Sequence, residues 1–237
     1  MDYSVVLFDL KTEGAPSEKP LMLQPVLFCP VLAWVCQELR ACGAQRFFAV
    51  CDADAREEVL AAAEGFDLTC VDSAEEALAQ VQGGVIAVPG AVVPAAGEPS
   101  RAVYAADAGE LRARLGEGRT LADCPAEAAG ILPLWQSPSA APAFLPVADA
   151  GELQAAMPRC RELLMRRLAH SGVTVIDPQN TYVDPRCTVA PGVTILPGTI
   201  LRGRTHIGAG CEIGPNAMLT DCTVGEETTI NASQLND

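Results

Sequence analysis

A six-residue repeat runs through the C-terminal quarter of this 237-residue chain, from Val183 to Leu235. Each unit opens with Val, Leu or Ile: VDPRCT, VAPGVT, ILPGTI, LRGRTH, IGAGCE and IGPNAM, then a shortened LTDCT, then VGEETT and INASQL. A fixed short period sets the fold of its segment. The repeat predicts a left-handed parallel β-helix of about three coils, in which each unit forms one of three walls and its aliphatic residue points inward.

Composition excludes several classes of partner. The net charge of −14 argues against nucleic acid and anionic membranes, because both would repel such a surface. The longest uncharged run, 128–148, is interrupted by prolines and does not predict a membrane-spanning helix. The N-terminus lacks the features of a secretory signal. Ten cysteines without a C-x-x-C pair predict reduced thiols in a cytoplasmic protein, and two histidines alone argue against a metal site.

The N-terminal part alternates strand and helix. Short apolar runs predict buried strands, and segments with helical spacing of apolar residues predict helices between them. The predicted strands are 4–8, 46–50, 67–71 and 83–88, and the predicted helices are 30–42, 53–64 and 73–81, with a further strand and helix in 102–115. This order predicts right-handed βαβ crossovers and a doubly wound, Rossmann-like sheet.

A connector joins the two parts. Residues 118–146 are rich in Pro, Ala and Ser and predict mostly loop, with one short strand near Ile131. Asp149 and Glu152 form a capping box that predicts a helix reaching His170. The predicted organisation is therefore an α/β domain over 1–148, a linker helix over 149–171 and the β-helix over 172–237.

The join carries a specific resemblance. The segment GVTVIDPQNTYVD, followed by PGT, L-x-G-x-T-x-IG and IGPN, resembles the bacterial bifunctional N-acetylglucosamine-1-phosphate uridyltransferase / glucosamine-1-phosphate acetyltransferase family. More faintly, KPLMLQPVLFCPVLAWV is similar to the family's L-P-K-V-L-x-P-v-x-G-K-P-M-L-x-x-V segment. The resemblance implies a nucleotidyltransferase-like first domain and a homotrimer that assembles through the β-helix.

The residues that uridylyl transfer requires in that family are mostly replaced. The family's glycine-rich phosphate turn, L-A-A-G-x-G-T-R-M, is here LFDLKTEGA, beginning at Leu7. Glycine lets backbone N–H groups approach phosphate closely, and charged groups and Mg²⁺ stabilise the transferring phosphate. The replacements are Leu10 and Thr12 for glycines, Glu13 for Thr, Gly14 for Arg, Leu21 for Lys, Ala91 for the magnesium-binding Asp, and Ala148 for the second metal ligand.

What remains of the first site is small. The resemblance leaves Leu7, Phe8, Lys11 and Gly90 as candidate nucleotide-binding remnants, with no catalytic residue and no metal ligand. Lys11 and Lys19 are the only lysines that could substitute for the lost cations. No cofactor is expected, and Mg²⁺ would be required only by an active enzyme. For the acetyltransferase activity, three coils are too few, and His206 is expected to be an exposed residue on a wall.

Two functions follow as hypotheses. In the first, the chain is a degenerate, catalytically impaired sugar-1-phosphate nucleotidyltransferase-like protein that binds a sugar nucleotide or acts as a scaffold or regulatory subunit. In the alternative, it is an active UDP-N-acetylglucosamine pyrophosphorylase-type enzyme with an altered phosphate loop. Turnover of UTP and N-acetylglucosamine-1-phosphate separates the two.

Overall fold

A computed structural model of the protein describes residues 4–11, 20–97, 102–124 and 143–236. Its contacts divide the chain into two compact units. The first comprises Met1–Gln24 and Pro30–Ala156, and the second comprises Pro25–Cys29 and Met157–Asp237. A short segment near the N-terminus therefore belongs structurally to the C-terminal unit.

Strands and helices alternate in the first half of the chain. The elements in chain order are β1 (Val5–Asp9), β2 (Pro25–Val26), β3 (Cys29–Pro30), α1 (Val31–Ala41), β4 (Arg46–Val50), α2 (Arg56–Ala62), β5 (Asp67–Val71), α3 (Ala74–Ala79), β6 (Gly84–Val88), β7 (Val92–Ala95), β8 (Tyr104–Asp107), α4 (Ala108–Gly116), β9 (Ala143–Pro146) and α5 (Ala150–His170). Short 3₁₀ helices cover Leu21–Leu23 and Leu121–Asp123.

The first unit is built on a five-stranded sheet of order β5-β4-β1-β6-β8. The first four of these strands are parallel, and β8 runs antiparallel to β6. Parallel strands are buried on both faces, and β1 and β6 accordingly read as continuous apolar runs. The predicted mixed α/β class is confirmed, with an antiparallel strand at one edge.

Caps seen in the sequence begin two of the helices. Ser73 Oγ accepts a hydrogen bond from the Glu76 N–H at 3.2 Å, at the start of α3. Asp149 Oδ1 accepts from the Glu152 N–H at 2.8 Å, at the start of α5. Each cap satisfies one of the N–H groups that a helix start leaves unpaired.

One part of the sequence prediction was incomplete. Strands β7 and β9 pair antiparallel, with Val93 opposite Leu145, although the segment ending at Pro146 was predicted to be mostly loop. Prolines are tolerated in such strands where the missing N–H is not needed for pairing, so a Pro-rich composition did not exclude a strand here. The strand predicted near Ile131 lies outside the described residues.

The second unit contains a stack of short parallel strands. They are β10 (Thr174–Val175), β11 (Tyr182–Val183), β12 (Thr188–Val189), β13 (Thr194–Ile195), β14 (Ile200–Arg202), β15 (His206–Ile207), β16 (Glu212–Ile213), β17 (Met218–Thr220), β18 (Thr223–Val224), β19 (Thr229–Ile230) and β20 (Gln234–Asn236). They form three sheets, of orders β10-β13-β16-β19, β11-β14-β17-β20 and β12-β15-β18. Every third strand returns to the same wall, which is the arrangement that a six-residue repeat predicts.

The aliphatic residues of the repeat stack inside these walls. Val183 pairs with Leu201, which pairs with Leu219, and all three are buried. Leu219 pairs in turn with Leu235, which is only 16 positions further along the chain. Two of the three units between Leu219 and Leu235 are therefore one residue shorter than the repeat, whereas the sequence indicated only one shortened unit, LTDCT. The division that ended a six-residue unit at Leu235 was wrong, because Leu235 itself occupies the next inward position.

The described part of the chain contains no helix that is both long and apolar enough to span a membrane.

Candidate functional site

The carboxyl ends of β1 and β6 form the natural candidate site of the first unit. The chain leaves β1 to build β4 and β5 on one side and then crosses to build β6 on the other. In open α/β sheets, ligands bind outside the carboxyl ends of the strands at such a change of direction. Asp9 ends β1 and is followed by Leu10 and Lys11, and Pro89 to Ala91 follow β6.

Two of the four remnant residues lie inside the sheet. Leu7 and Phe8 occupy the middle of β1, and Phe8 is 0% exposed. The Phe8 ring stacks on that of Phe47 in β4, with centroids 6.4 Å apart. Their side chains therefore belong to the hydrophobic core, and only a main-chain role at the strand end is open to this part of β1.

The start of the loop after β1 does not present free amide groups. The Leu10 N–H donates to the carbonyl oxygen of Val50 at 3.0 Å, which extends the pairing of β1 with β4. The Lys11 N–H donates to Asp9 Oδ1 at 3.1 Å. A phosphate-binding turn requires such N–H groups to point at the ligand. Both of these are already occupied within the chain.

Two residues that replace the family's charged groups, Leu21 and Ala91, are apolar and buried. Four others named from the sequence lie outside the described residues: Thr12, Glu13, Gly14 and Lys19. Leu21, at the position of the family's lysine, lies in a short 3₁₀ helix in which all three residues are buried. Ala91, at the position of the magnesium-binding carboxylate, is also buried, and its carbonyl oxygen accepts a hydrogen bond from the Val147 N–H at 3.0 Å. Burial explains why leucine and alanine are stable in these places, since each adds apolar surface to the core.

Lys11 is directed away from β6. Its Nζ donates to the carbonyl oxygen of Asp72, which follows β5, at 2.8 Å. It also lies 3.6 Å from Asp52 Oδ1, beyond the end of β4. The structure therefore brings Leu7, Phe8 and Gly90 to the β1–β6 pair, but it places the Lys11 ammonium group at the β4–β5 edge.

An acidic edge that the sequence patterns did not indicate surrounds this lysine. Asp9 ends β1, Asp52 follows β4 and Asp72 follows β5, so three consecutive parallel strands each end near an aspartate. Arg56 pairs with Asp72, Nη2 to Oδ1, at 2.6 Å. The signal was present in the sequence as the acid that closes each of the runs VVLFD, FFAVCD and LTCVD. Only the parallel order of the strands shows that these acids meet at one edge.

The electrostatics of this edge do not favour a polyphosphate, because Asp9, Asp52 and Asp72 add negative charge there. Burial raises the pKa of the Asp9 carboxyl above its ordinary value, and the N–H and the charge of Lys11 oppose that shift. Among the described residues, no group of three or more His, Cys, Asp or Glu is arranged to hold a metal ion. The residue at the position of the family's second metal ligand, Ala148, contributes only a backbone N–H, which donates to Glu152 Oε2 at 2.9 Å.

His206 lies on the outside of the second unit. It is exposed on β15, and its Nδ1 lies 2.7 Å from Thr188 Oγ1 on the preceding coil. The structure thus places His206 where the repeat predicts, as an outward residue of a wall. It shares no cluster with an acid or a second histidine among the hydrogen bonds of the described residues.

Comparison with known proteins gives partial matches. No protein family model matches the chain. It is 42% identical over 77 residues to the Bifunctional protein GlmU of Geobacillus sp. (strain WCH70), covering 32% of this chain and 17% of that protein. It is 48% identical over 69 residues to the protein of the same name from Caldanaerobacter subterraneus subsp. tengcongensis, covering 27% and 15%.

A longer match extends to nearly half of the chain. The Bifunctional protein GlmU of Geobacillus thermodenitrificans is 34% identical over 108 residues, which are 46% of this chain and 23% of that protein. The chain therefore spans less than a quarter of the length of these curated relatives. At this level the resemblance predicted from the sequence is confirmed.

Proposed function

We propose that this chain, a relative of the bifunctional GlmU proteins over part of its length, is a catalytically impaired nucleotidyltransferase-like protein. On this proposal the first unit is a degenerate nucleotidyltransferase domain, and the three-walled unit is a left-handed β-helix that assembles three copies. The protein acts as a sugar-nucleotide binder, a scaffold or a regulatory subunit.

The observation that carries the proposal is the state of the carboxyl edge. Its lysine is held by the Asp72 carbonyl and the Asp52 carboxylate, on an edge that also carries Asp9. Transfer of a nucleotidyl group requires preorganised positive charge where phosphate charge develops, and loss of one such group costs about 10²- to 10³-fold in rate. An edge that carries aspartates, and whose lysine is already bound within the chain, repels the phosphate groups of a nucleotide.

The first test is turnover. The protein is incubated with UTP, N-acetylglucosamine-1-phosphate and Mg²⁺, and released pyrophosphate is measured against buffer. We expect no release above the buffer rate. Release above it would support the alternative, an active enzyme with an altered phosphate loop. That activity should then fall in Lys11→Ala, because Lys11 directly follows the end of β1 at the candidate site.

The second test is binding. Calorimetry with UTP, UDP-N-acetylglucosamine and acetyl-CoA in turn measures whether the domain retains a ligand. A ligand that binds only the native state raises its melting temperature, by an amount that grows with concentration over Kd. A response to UDP-N-acetylglucosamine alone would establish the binder. No response to any of the three would leave the scaffold or regulatory role.

Assembly is tested separately. By resemblance, three copies pack through their β-helices, and sedimentation equilibrium at micromolar concentration should give three times the 24.8 kDa chain mass. A stable monomer would contradict the trimer without bearing on catalysis.

A further inference from the structure

A two-residue hairpin tip near the N-terminus adopts an unusual backbone. Strands β2 and β3 are joined by Leu27 and Phe28, whose φ angles are +49° and +70°. Turns of this kind favour Asn-Gly, because L-residues with a large Cβ are strained at positive φ. Neither position carries Asn or Gly here. Something outside the hairpin must therefore hold the tip in this conformation.

The first contact comes from Arg186, which follows β11 in the second unit. Its Nη2 donates to the carbonyl oxygen of Phe28 at 3.1 Å. Arg186 is itself fixed by Asp184: Arg186 Nε donates to Asp184 Oδ1 at 2.9 Å and Nη2 donates to Asp184 Oδ2 at 2.7 Å. Asp184 is 0% exposed and also accepts from the Gly203 N–H at 3.0 Å. A bidentate pair of this kind fixes a guanidinium in one orientation.

The second contact comes from Arg202 in β14, one coil further along. Its guanidinium carbon lies 4.7 Å from the centre of the Phe28 ring. This distance is within the range of an attractive cation–π interaction. The tip is therefore held at its carbonyl by one arginine and at its ring by another, from successive coils of the same unit.

The rest of the hairpin is packed around these contacts. Val26, Leu27 and Cys29 are all buried. Burial raises the pKa of the Cys29 thiol to about 12, and the nearby Asp184 carboxylate adds to the shift while Arg186 opposes it. Cys29 therefore lies close to the same ion pair that binds the tip.

We propose that Arg186 and Arg202 form a clasp that imposes the left-handed tip on the hairpin Pro25–Cys29, so that the hairpin keeps this conformation only while the first two coils of the β-helix are folded. The hairpin is then a conditional element: its sequence alone disfavours the turn, and the β-helix supplies the contacts that offset the strain. The inference does not depend on the proposed function.

Hydrogen exchange on the full chain tests the clasp. In Arg202→Ala, backbone exchange in peptides covering residues 24–31 should rise at least 10-fold, while peptides covering 183–219 stay protected. In the single variant Arg186→Ala, exchange in the hairpin peptides should rise more than in Arg202→Ala, because the Phe28 carbonyl loses its hydrogen-bond donor. The matched control is Arg166→Ala, which removes an exposed arginine whose ion pair, with Glu162, lies within α5. Exchange in the hairpin should not change in that variant.

A second variant separates the clasp from simple packing. Phe28→Gly accepts the left-handed conformation without strain and has no ring for Arg202 to contact. In the Phe28→Gly background, Arg202→Ala should therefore change hairpin exchange by less than 2-fold. An equal rise in both backgrounds, or no rise in Arg202→Ala alone, would overturn the proposal. Protection that is lost across 183–219 in Arg202→Ala would also overturn it, since the arginine would then hold the β-helix and not the hairpin.

Discussion

At the residue scale, threonine hydroxyls form hydrogen bonds at the corners between the walls of the second unit. Thr199 Oγ1 donates to the carbonyl oxygen of Leu196 at 2.7 Å, and Thr205 Oγ1 donates to that of Arg202 at 2.7 Å. Both threonines are completely buried. The Leu196 carbonyl has no backbone donor among the hydrogen bonds of the described residues, whereas the Arg202 carbonyl also accepts from the Asp221 N–H at 3.3 Å. Thr199 thus satisfies a carbonyl that the turn leaves without a ladder partner, as buried backbone groups require. The fifth position of the repeat is therefore chosen by hydrogen bonding as well as by size.

Replacing one of these hydroxyls should be costly. Thr199→Val keeps the shape and leaves the Leu196 carbonyl unsatisfied, so we expect the free energy of unfolding to fall by about 1–3 kcal/mol. Urea denaturation measures the change. Thr229→Val is the matched control, because Thr229 is exposed on a wall and should change stability by less than about 0.5 kcal/mol. Equal effects in the two variants would contradict the role given to the corner hydroxyl.

At the residue scale, the sequence indicated which residues replace the family's functional groups, but not every contact that they make. It identified Leu10, Leu21 and Ala91 as replacements of charged or glycine positions, and the structure shows the three side chains buried. It did not predict the direction of Lys11, because that depends on Asp52 and Asp72, which reach the same edge only after two crossovers.

At the scale of elements, the corners of successive coils are stacked closely. Gly208 lies against the next coil: a Cβ built there would be 2.7 Å from the Glu226 backbone nitrogen and 2.9 Å from the Gly225 carbonyl carbon. Its own N–H donates to the Val224 carbonyl at 2.9 Å, which fixes the separation of the coils. The small residue at this corner is therefore required by backbone approach.

A pair of glycines in equivalent corners gives the test. Gly208→Ala should destabilise the three-walled second unit by about 1–3 kcal/mol, because the added methyl must displace backbone and not a flexible side chain. Gly225→Ala meets nothing within 4 Å and should be nearly neutral. The midpoints of urea unfolding, compared at equal slope, measure both. A neutral Gly208→Ala would show that the coils can separate at this corner.

Element boundaries were predicted well where the pattern is local. The four parallel strands of the first unit and helix α5 follow from apolar runs and caps in the sequence. The pairing of β7 with β9 and the second shortened corner were missed, because Val93 and Leu145 are distant in the chain and because INASQL fits the repeat length by itself.

At the scale of the whole molecule, buried thiols couple stability to alkaline pH. Burial raises the pKa of Cys29, Cys51, Cys160 and Cys187 to about 12, from an ordinary value of 9.0. In the unfolded chain these thiols would ionise near pH 9, whereas the folded protein keeps them neutral. Their contribution to stability is therefore fully present below pH 9 and is lost as the pH rises through 12.

The expected result is a falling free energy of unfolding above pH 9. Each such thiol contributes up to about 1.4 kcal/mol per pH unit in this window. Cys160 is completely buried in α5, so Cys160→Ala should lower stability at pH 7 but reduce the slope above pH 9. Urea unfolding at pH 7, 9 and 10.5 measures both quantities. An unchanged slope in the variant would show that burial does not raise the pKa of Cys160 in the folded protein.

The sequence by itself determined the three walls of short parallel strands in the second unit, the alternation of the first unit and the similarity to the bifunctional GlmU proteins. These follow from short periods and contiguous motifs, which act between residues that are near in the chain. Only the tertiary structure decided which groups bind the Lys11 ammonium group and which residues hold the hairpin tip at Phe28. Lys11 meets Asp72 across 61 positions, and Arg186 meets Phe28 across 158. No local pattern encodes such contacts, because they exist only after strands and coils have been brought together.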